Sequence, residues 1–247
     1  MNFLSLLKRK IIYKCKKKIN IDIDGFRSND LDKLFFFYGS DKSNIFKISN
    51  QQGHGYSKYY TKYLKKYKKK KIKILEIGSY AGGSAAAFKK YFSYSKIFCL
   101  DINISKFKFK SKDIYVYGLD VSNIKKLKKV INKIVPKNKK KFFDLIIDDG
   151  SHNLKDILIS INSLFEYLKK DGFYIIEDYM LPTNYKYNRN TNDILIDKMI
   201  NSLNKKKLFK SRILDKDTQL ILHKNIKKIY THKGNLKDSH ICFIKKR

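Results

Sequence analysis

The pattern of apolar and polar positions becomes regular from about residue 72. Short apolar runs predict strands over 72–77, 96–100, 114–117, 143–147 and 173–176. Between them, apolar residues recur at intervals of three and four, which predicts amphipathic helices. Strands and helices that alternate in this way are typical of a mostly parallel sheet with helices on both faces. We therefore expect an α/β fold with a parallel central sheet.

Local signals give some of the helix ends. Ser122 is expected to cap a helix that stops before Pro136. A second apolar face begins at Leu154 and continues to Leu168, and Gly172 would follow the end of that helix. Further on, the pattern predicts a helix over 194–203 and a final pair of strands over 227–231 and 240–244.

The chain is expected to divide near residue 70. Residues 1–70 read as a helical and loop extension that contributes to the active site, and residues 71–247 as the α/β domain. Residues 1–20 form a basic, partly amphipathic stretch. We expect a helix that packs on the domain, and association with an anionic membrane surface stays open as an alternative. The apolar content would support one large domain, and a homo-oligomer also remains open.

The formal charge of +34, from 56 basic and 22 acidic residues, raises the possibility of a nucleic-acid partner. Only five of the basic residues are arginine, the residue that nucleic-acid readers use for bidentate contacts. Dispersed, solvated lysines are therefore the favoured interpretation. An RNA methyltransferase or a nucleic-acid-binding protein is kept as the alternative function.

Cysteine usage and hydropathy bear on location. The three cysteines, Cys15, Cys99 and Cys242, are isolated from one another and lack metal-site spacing. They favour a reducing, cytoplasmic environment. No run of 18 apolar residues occurs, and the N-terminal stretch lacks a long apolar core, so we expect neither a membrane span nor a secretory signal.

A glycine-rich loop follows the first strand of the regular region. It runs from Glu76 through Gly78, Ser79, Gly82 and Gly83 to Ser84 and opens a helix. Ligands of open parallel sheets bind beyond the carboxyl ends of the strands, where glycines let a ligand approach the backbone. Asp101 ends the next strand, 23 residues after Gly78, a position from which a carboxylate can bind both hydroxyls of a ribose. The loop lacks the dinucleotide-binding spacing, so it fits a nucleoside with an amino-acid tail.

A second motif places acids after two later strands. The strand over 143–147 is followed by Asp148, Asp149, Gly150, Ser151 and His152, and the strand over 173–176 by Glu177 and Asp178. Adjacent carboxylates are costly unless a cation lies between them. A divalent metal is the obvious candidate, and the histidine beside it is a candidate base.

These motifs resemble class I methyltransferases that depend on S-adenosylmethionine (SAM). Glu76-Ile77-Gly78 with Gly82-Gly83-Ser84 and Leu100-Asp101 look like the SAM site, and Asp120 resembles the acid that meets the adenine. The segments 143–152 and 175–178 are similar to one branch, the metal-dependent sugar O-methyltransferases. Tyr38-Gly39-Ser40-Asp41-Lys42 and His54-Gly55-Tyr56 resemble the N-terminal element of that branch.

The resemblance implies a Rossmann-like fold and a function. The chain would transfer a methyl group from SAM to a hydroxyl of a sugar or glycan precursor, assisted by Mg²⁺ or another divalent metal. Asp149, Glu177 and Asp178 would hold the metal, His152 would be the base, and Asp149 would also serve catalysis. His54 and Tyr56 would contact the cofactor, and Asp148 would lie near it as a supporting partner.

Overall fold

The computed structural model describes residues 3–247, apart from the side chain of Phe3. Met1 and Asn2, which belong to the basic N-terminal stretch, lie outside the described residues. Two compact units make up the chain. The predicted boundary near residue 70 stays a prediction.

The first unit comprises the chain up to Asp120 together with Gly234–Lys237. Its helices are α1 (Phe3–Cys15), α2 (Leu31–Tyr38), α3 (Ser57–Leu64) and α4 (Gly83–Tyr91). Its strands are β1 (Ile19–Asn20), β2 (Ile45–Phe46), β3 (Gln51–Gln52), β4 (Lys73–Ile77), β5 (Lys96–Asp101), β6 (Phe109–Lys110) and β7 (Ile114–Gly118).

Parallel pairing organises the first unit. Strand β5 lies between β4 and β7 and is parallel to both. The apolar residues of β4 and β5 are buried along their whole length, as expected for parallel strands that are covered on both faces. The pairings bring the carboxyl ends of the three strands to the same edge. The predicted strands over 72–77, 96–100 and 114–117 are confirmed to within about a residue.

The second unit comprises Val121–Lys233 and Asp238–Arg247. Its helices are α5 (Ile124–Ile134), α6 (Leu154–Leu164), α7 (Leu181–Asn184), α8 (Ile196–Asn204) and α9 (Lys216–Asn225). Its strands are β8 (Phe143–Asp148), β9 (Leu168–Glu177), β10 (Ile226–Lys233) and β11 (His240–Lys246), in the order β10-β11-β9-β8. Strands β8 and β9 are parallel, whereas β11 is antiparallel to both of its neighbours.

Two sequence predictions about helix ends are wrong. The N-cap of α5 is Asn123, whose side chain accepts a hydrogen bond from the backbone N–H of Lys126 at 3.1 Å, and not Ser122. Helix α6 ends at Leu164 and not near Leu168, because a 3₁₀ turn intervenes and Leu168 already begins β9. Gly172 lies inside β9, where the register with β8 shifts.

The register shift between β8 and β9 explains why residue 172 is a glycine. A Cβ atom at Gly172 would lie 2.6 Å from the carbonyl oxygen of Asp144, so no side chain fits there. The preceding Asp171 has a left-handed backbone with φ of 60°. Such a bulge inserts residues in one strand and increases its local twist. It lets β9 resume its pairing with β8 at Leu145 and Phe173, ahead of the acids that end both strands.

Within residues 3–247, no helix combines the length and the hydropathy needed to cross a bilayer. The three cysteines are free thiols.

A buried lysine in β11 stabilises the turn between α6 and β9 in the second unit. Lys246 is 4% exposed, and its ammonium donates hydrogen bonds to the carbonyl oxygens of Phe165, Glu166 and Leu168 at 3.0, 3.1 and 2.7 Å. These carbonyls belong to the turn between α6 and β9, where helical bonding has stopped. Burial lowers the pKa of Lys246 to about 8. The Lys246 ammonium thus donates hydrogen bonds to three backbone carbonyls at the 3₁₀ turn, where helical hydrogen bonding has stopped.

We expect Lys246→Met to destabilise the protein, because these acceptors lose their donors while the apolar stem is kept. The free energy of unfolding should fall by about 2–4 kcal/mol. Urea unfolding followed by circular dichroism measures the change, with Lys224→Met on the exposed face of α9 as the control. Equal stabilities of the two variants would contradict this role.

Candidate active site

The glycine-rich loop of the first unit connects β4 to α4 at the carboxyl end of the strand. Gly78 and Gly82 both have φ of 81°, which a residue with a Cβ adopts only with strain. A Cβ at Gly82 would lie 2.6 Å from the ring of Phe107, and one at Gly83 would lie 2.7 Å from the carbonyl oxygen of Tyr38. The glycines are therefore required by backbone conformation and by close contact within this unit.

Two acids flank this loop. Glu76 is fully buried, and Ser84 in the first turn of α4 donates a hydrogen bond to it at 2.5 Å. Asp101 ends β5, and its two carboxylate oxygens accept hydrogen bonds from the backbone N–H groups of Tyr80 at 2.7 Å and Asn103 at 2.5 Å. These bonds fix the Asp101 carboxylate at the edge of the sheet and leave each oxygen a lone pair for a ligand hydroxyl.

The remaining cofactor candidates of the first unit lie in three places. Asp120 is partly exposed and follows β7 by two residues, and β7 pairs with β5 in the register that sets Gly118 opposite Asp101. The rings of His54 and Tyr56 are stacked with centroids 5.2 Å apart, and Tyr56 is fully buried. Ser79 is also buried. The roles of these residues toward a cofactor stay predictions.

The acidic motif of the second unit forms a cluster at the carboxyl ends of β8 and β9. Asp149, His152 and Asp178 each present one potential ligand atom, and these atoms all lie within 4.8 Å of one another. The Nε2 atom of His152 is 3.7 Å from Oδ1 of Asp149. Strands β8 and β9 are parallel neighbours with Asp148 opposite Ile176, which explains why residues 26 or more positions apart meet here.

Two members of the cluster have unusual backbone conformations. His152 has φ of 55° and Asp178 has φ of 50°, both in the left-handed region. Each such residue costs about 1 kcal/mol or more relative to an ordinary conformation, and such residues are common at ligand sites. Asn188 holds the His152 backbone, since its side-chain amide donates to the His152 carbonyl at 3.2 Å.

Glu177 does not belong to this group of three. It is the last residue of β9 and is 2% exposed. Side chains alternate along a strand, so adjacent carboxylates such as Glu177 and Asp178 tend to point in different directions. The structure thus brings Asp149, His152 and Asp178 together, and their roles as metal ligands or base stay predictions. The assignment of Glu177 as a ligand stays a prediction.

Known proteins with similar sequences are methyltransferases. No family model matches the chain. It is 27% identical over 169 residues to the 8-demethyl-8-alpha-L-rhamnosyl tetracenomycin-C 2'-O-methyltransferase of Streptomyces olivaceus, with 66% of this chain and 40% of that protein covered. It is 30% identical over 155 residues to the L-olivosyl-oleandolide 3-O-methyltransferase of Streptomyces antibioticus, with 60% and 36% covered. The chain spans roughly two fifths of the length of these curated relatives.

The solved structures of the MycE methyltransferase from the mycinamycin biosynthetic pathway have a similar fold. A complex with Mg, SAH and mycinamycin VI aligns with a TM-score of 0.64 and 20% identity, over 88% of this chain and 54% of that one. A second complex, with Mg and SAH, gives a TM-score of 0.66 over 90% of this chain. The chain therefore shares the fold of these methyltransferase structures. The resemblance predicted from the motifs and the Rossmann-like α/β fold are therefore confirmed.

One residue near the cluster, Asn188, could not be found by motif, whereas the role of Ser151 could. Asn188 lies in the polar loop after β9, 36 residues from His152, and no spacing marks it. Ser151 donates a hydrogen bond to Asp156 at 2.5 Å and accepts one from the backbone N–H of Asn153 at 3.3 Å. Ser151 therefore helps to order the first turn of α6, as its position before the helix suggests.

Asp148 is a buried acid beside the cluster. It is 5% exposed, and burial raises its pKa to about 6 against the lowering effects of a hydrogen bond from Ser160 and of nearby His152. The pKa in the unfolded chain is near the ordinary 3.8. Because the folded pKa is the higher of the two, folding favours the protonated acid. Stability from this group is present below the unfolded pKa and is lost as the pH rises through about 6.

We expect Asp148→Asn to become more stable relative to the natural chain as the pH rises, because an amide stays neutral. In metal-free protein, the gain between about pH 4.5 and about pH 7.5 should be about 1–3 kcal/mol. Urea unfolding at the two pH values with a chelator present measures it. Asp217→Asn on the exposed start of α9 is the control and should show no such trend. A constant difference between Asp148→Asn and the natural chain would contradict a raised pKa.

Proposed function

We propose that the chain is a SAM-dependent O-methyltransferase that uses a divalent metal and acts on a hydroxyl of a sugar or glycan precursor. The observation that carries the proposal is the cluster of Asp149, His152 and Asp178 at the carboxyl ends of β8 and β9. The similar proteins support it, since their names specify O-methylation of rhamnosyl and olivosyl compounds and MycE is described with Mg and SAH. The RNA alternative has less support.

The donor set of the cluster fits a divalent cation. Carboxylate oxygens such as those of Asp149 and Asp178 suit Mg²⁺ or Mn²⁺, whereas an imidazole nitrogen suits Fe²⁺ or Zn²⁺ better. His152 can therefore be a third ligand, or it can be the base while Glu177 completes the set. When bound, the metal would orient two vicinal hydroxyls of the acceptor and make one easier to deprotonate.

Residues of the first unit would bind the cofactor. The Asp101 carboxylate, held by the N–H groups of Tyr80 and Asn103, would accept hydrogen bonds from the ribose hydroxyls. The loop from Gly78 to Gly82 would let the amino-acid tail approach the backbone. Glu76 and Ser84 are proposed to support the loop, Asp120 to meet the adenine, and His54 and Tyr56 to contact the cofactor.

His152 would move the proton. Its Nε2 atom would accept the hydrogen of the acceptor hydroxyl, and Asp149, 3.7 Å away, would stabilise the imidazolium that forms. With SAM bound, the acceptor oxygen would form a bond to the methyl carbon while the bond from that carbon to the sulfonium sulfur breaks. Asn188 would hold the His152 backbone in place through its hydrogen bond to the carbonyl.

Single substitutions distinguish the two possible sets of metal ligands. We expect Asp149→Asn and Asp178→Asn to weaken Mn²⁺ and Mg²⁺ binding in calorimetry by roughly tenfold or more and to reduce methyl transfer, because each removes a charged ligand. Glu177→Gln should do the same only if Glu177 is a ligand. Asp217→Asn is the matched control. Methyl transfer that persists unchanged with a chelator would contradict metal assistance.

The same measurements assign His152. If His152 is the base, the variant His152→Gln should lower kcat roughly 100-fold or more and leave metal affinity within about twofold. If His152 is instead a metal ligand, the same variant should weaken metal binding by about tenfold. Near-native turnover with metal present would exclude both roles.

We further propose that α1 associates with an anionic membrane surface. Leu4, Leu7, Ile11 and Ile12 are 43–68% exposed and share one helical face, while Leu6 on the other side is buried. Between Lys8 and Lys18 the chain has seven basic residues and no acid. An apolar stripe beside a segment rich in basic residues is complementary to anionic lipid.

We expect the protein to sediment with vesicles that contain about 30% phosphatidylserine and not with neutral phosphatidylcholine vesicles, because lysines supply about 1 kcal/mol each near an anionic surface. Leu7→Gln with Ile11→Gln should reduce the bound fraction severalfold. Leu220→Gln with Ile221→Gln, which are equally exposed on α9, should leave it unchanged. Equal loss in both double variants would contradict a membrane role for α1.

The acceptor class, location and assembly complete the proposal. The acceptor would be a small sugar or glycan intermediate, and a cytoplasmic location agrees with the free thiols of Cys15, Cys99 and Cys242. A homo-oligomer stays a prediction.

A further inference from the structure

A large basic cleft lies at the opposite end of the first-unit strands from the candidate cofactor residues. Its volume is about 810 Å³, and its lining includes Lys73 and Lys96, the first residues of β4 and β5. The glycine loop and Asp101 follow the other ends of these strands, about 16–20 Å away for strands of five or six residues. The cleft is therefore distinct from the proposed SAM site.

The charge of the cleft exceeds what the composition of the chain explains. Seven of the thirteen lining residues are lysine or arginine and two are aspartate. In the whole chain, 56 of 247 residues are basic, so dispersed lysines would give about three in such a lining. The cleft thus concentrates positive charge well beyond the general lysine excess.

Two layers of cations make up the cleft. Lys89 and Lys90 form its floor: their side chains are 10% and 8% exposed, and they are paired with Asp113 at 2.7 Å and Asp24 at 3.2 Å. Lys71 and Lys96 lie exposed on the rim and form no ion pair with any carboxylate among residues 3–247. The floor pairs fix the shape, and the rim cations remain available to an anion from outside.

An aromatic ring adds a second kind of contact. Tyr94 lines the cleft and is 62% exposed, although large aromatic side chains are normally buried. An exposed ring beside cations can stack on a nucleobase, whereas the ammonium groups bind phosphate oxygens. The volume also falls in the range of small-molecule sites, about 300–1,000 Å³, and greatly exceeds a single phosphate.

We propose that this cleft binds a nucleoside diphosphate or a molecule that contains one. The diphosphate contacts Lys71, Lys96 and the neighbouring cations, and the base stacks on Tyr94. All of the lining residues belong to the first unit, and binding in this cleft does not depend on the proposed methyl transfer.

The test is calorimetric titration of the full chain with ADP, inorganic pyrophosphate and adenosine at moderate salt, in the presence of SAM. ADP should bind more tightly than pyrophosphate, because only ADP offers a base to Tyr94. Lys71→Glu with Lys96→Glu should weaken ADP and pyrophosphate binding at least tenfold. Tyr94→Ala should abolish the difference between ADP and pyrophosphate. Adenosine should bind more weakly than ADP, and its binding should be insensitive to the lysine substitutions but lost with Tyr94→Ala.

Lys128→Glu with Lys129→Glu on the exposed face of α5 is the control with the same change of net charge. It should change ADP affinity by less than about twofold. Equal weakening in the two double variants would show that only the diffuse charge of the protein attracts the anion, and would overturn the proposal. Absence of ADP binding below about 1 mM would overturn it as well. Unfolding curves that match the natural chain verify that the cleft variants are folded.

Discussion

The repulsion between carboxylates at the ends of β8 and β9 is the constraint on which this account depends. Two like charges about 4.8 Å apart repel by roughly 3 kcal/mol at an effective dielectric constant near 20. The fold nevertheless brings Asp149 and Asp178 within that distance and accepts left-handed backbones at Asp178 and His152. A cation or the imidazolium of His152 would relieve the repulsion, so the same geometry would suit a metal or a base.

The parallel core could be predicted from the sequence because buried strands consist of continuous runs of apolar residues. The runs at β4, β5, β8 and β9 are flanked by polar residues, and the acids after β8 and β9 must meet once the two strands are parallel neighbours. The end of α6 could not be predicted in the same way. Leu168 continues the helical spacing of its apolar residues, but the 3₁₀ turn and the bonds from Lys246, 78 residues away, end the helix earlier.

The sequence pattern places acids and His152 after two strands, and the resemblance gave Asp149, His152, Glu177 and Asp178 their expected roles. Neither states which of two adjacent carboxylates faces a ligand. The left-handed conformation of Asp178 sets the direction in which the chain leaves β9, and the residue types in this segment do not predict that conformation. Asn188 is outside the reach of spacing arguments because a loop of irregular structure brings it to His152. The charge of +34 is uninformative as a sum, whereas its local concentrations become visible only in the fold.

The measurement that tests the central claim most directly is transfer of label from methyl-labelled SAM to a panel of sugars and nucleotide sugars with Mg²⁺ present. The account predicts a labelled product whose methyl group is attached to a hydroxyl oxygen, as magnetic resonance of the isolated product would show. Label that appears only in added RNA, or the absence of SAM binding by the full chain, would contradict it.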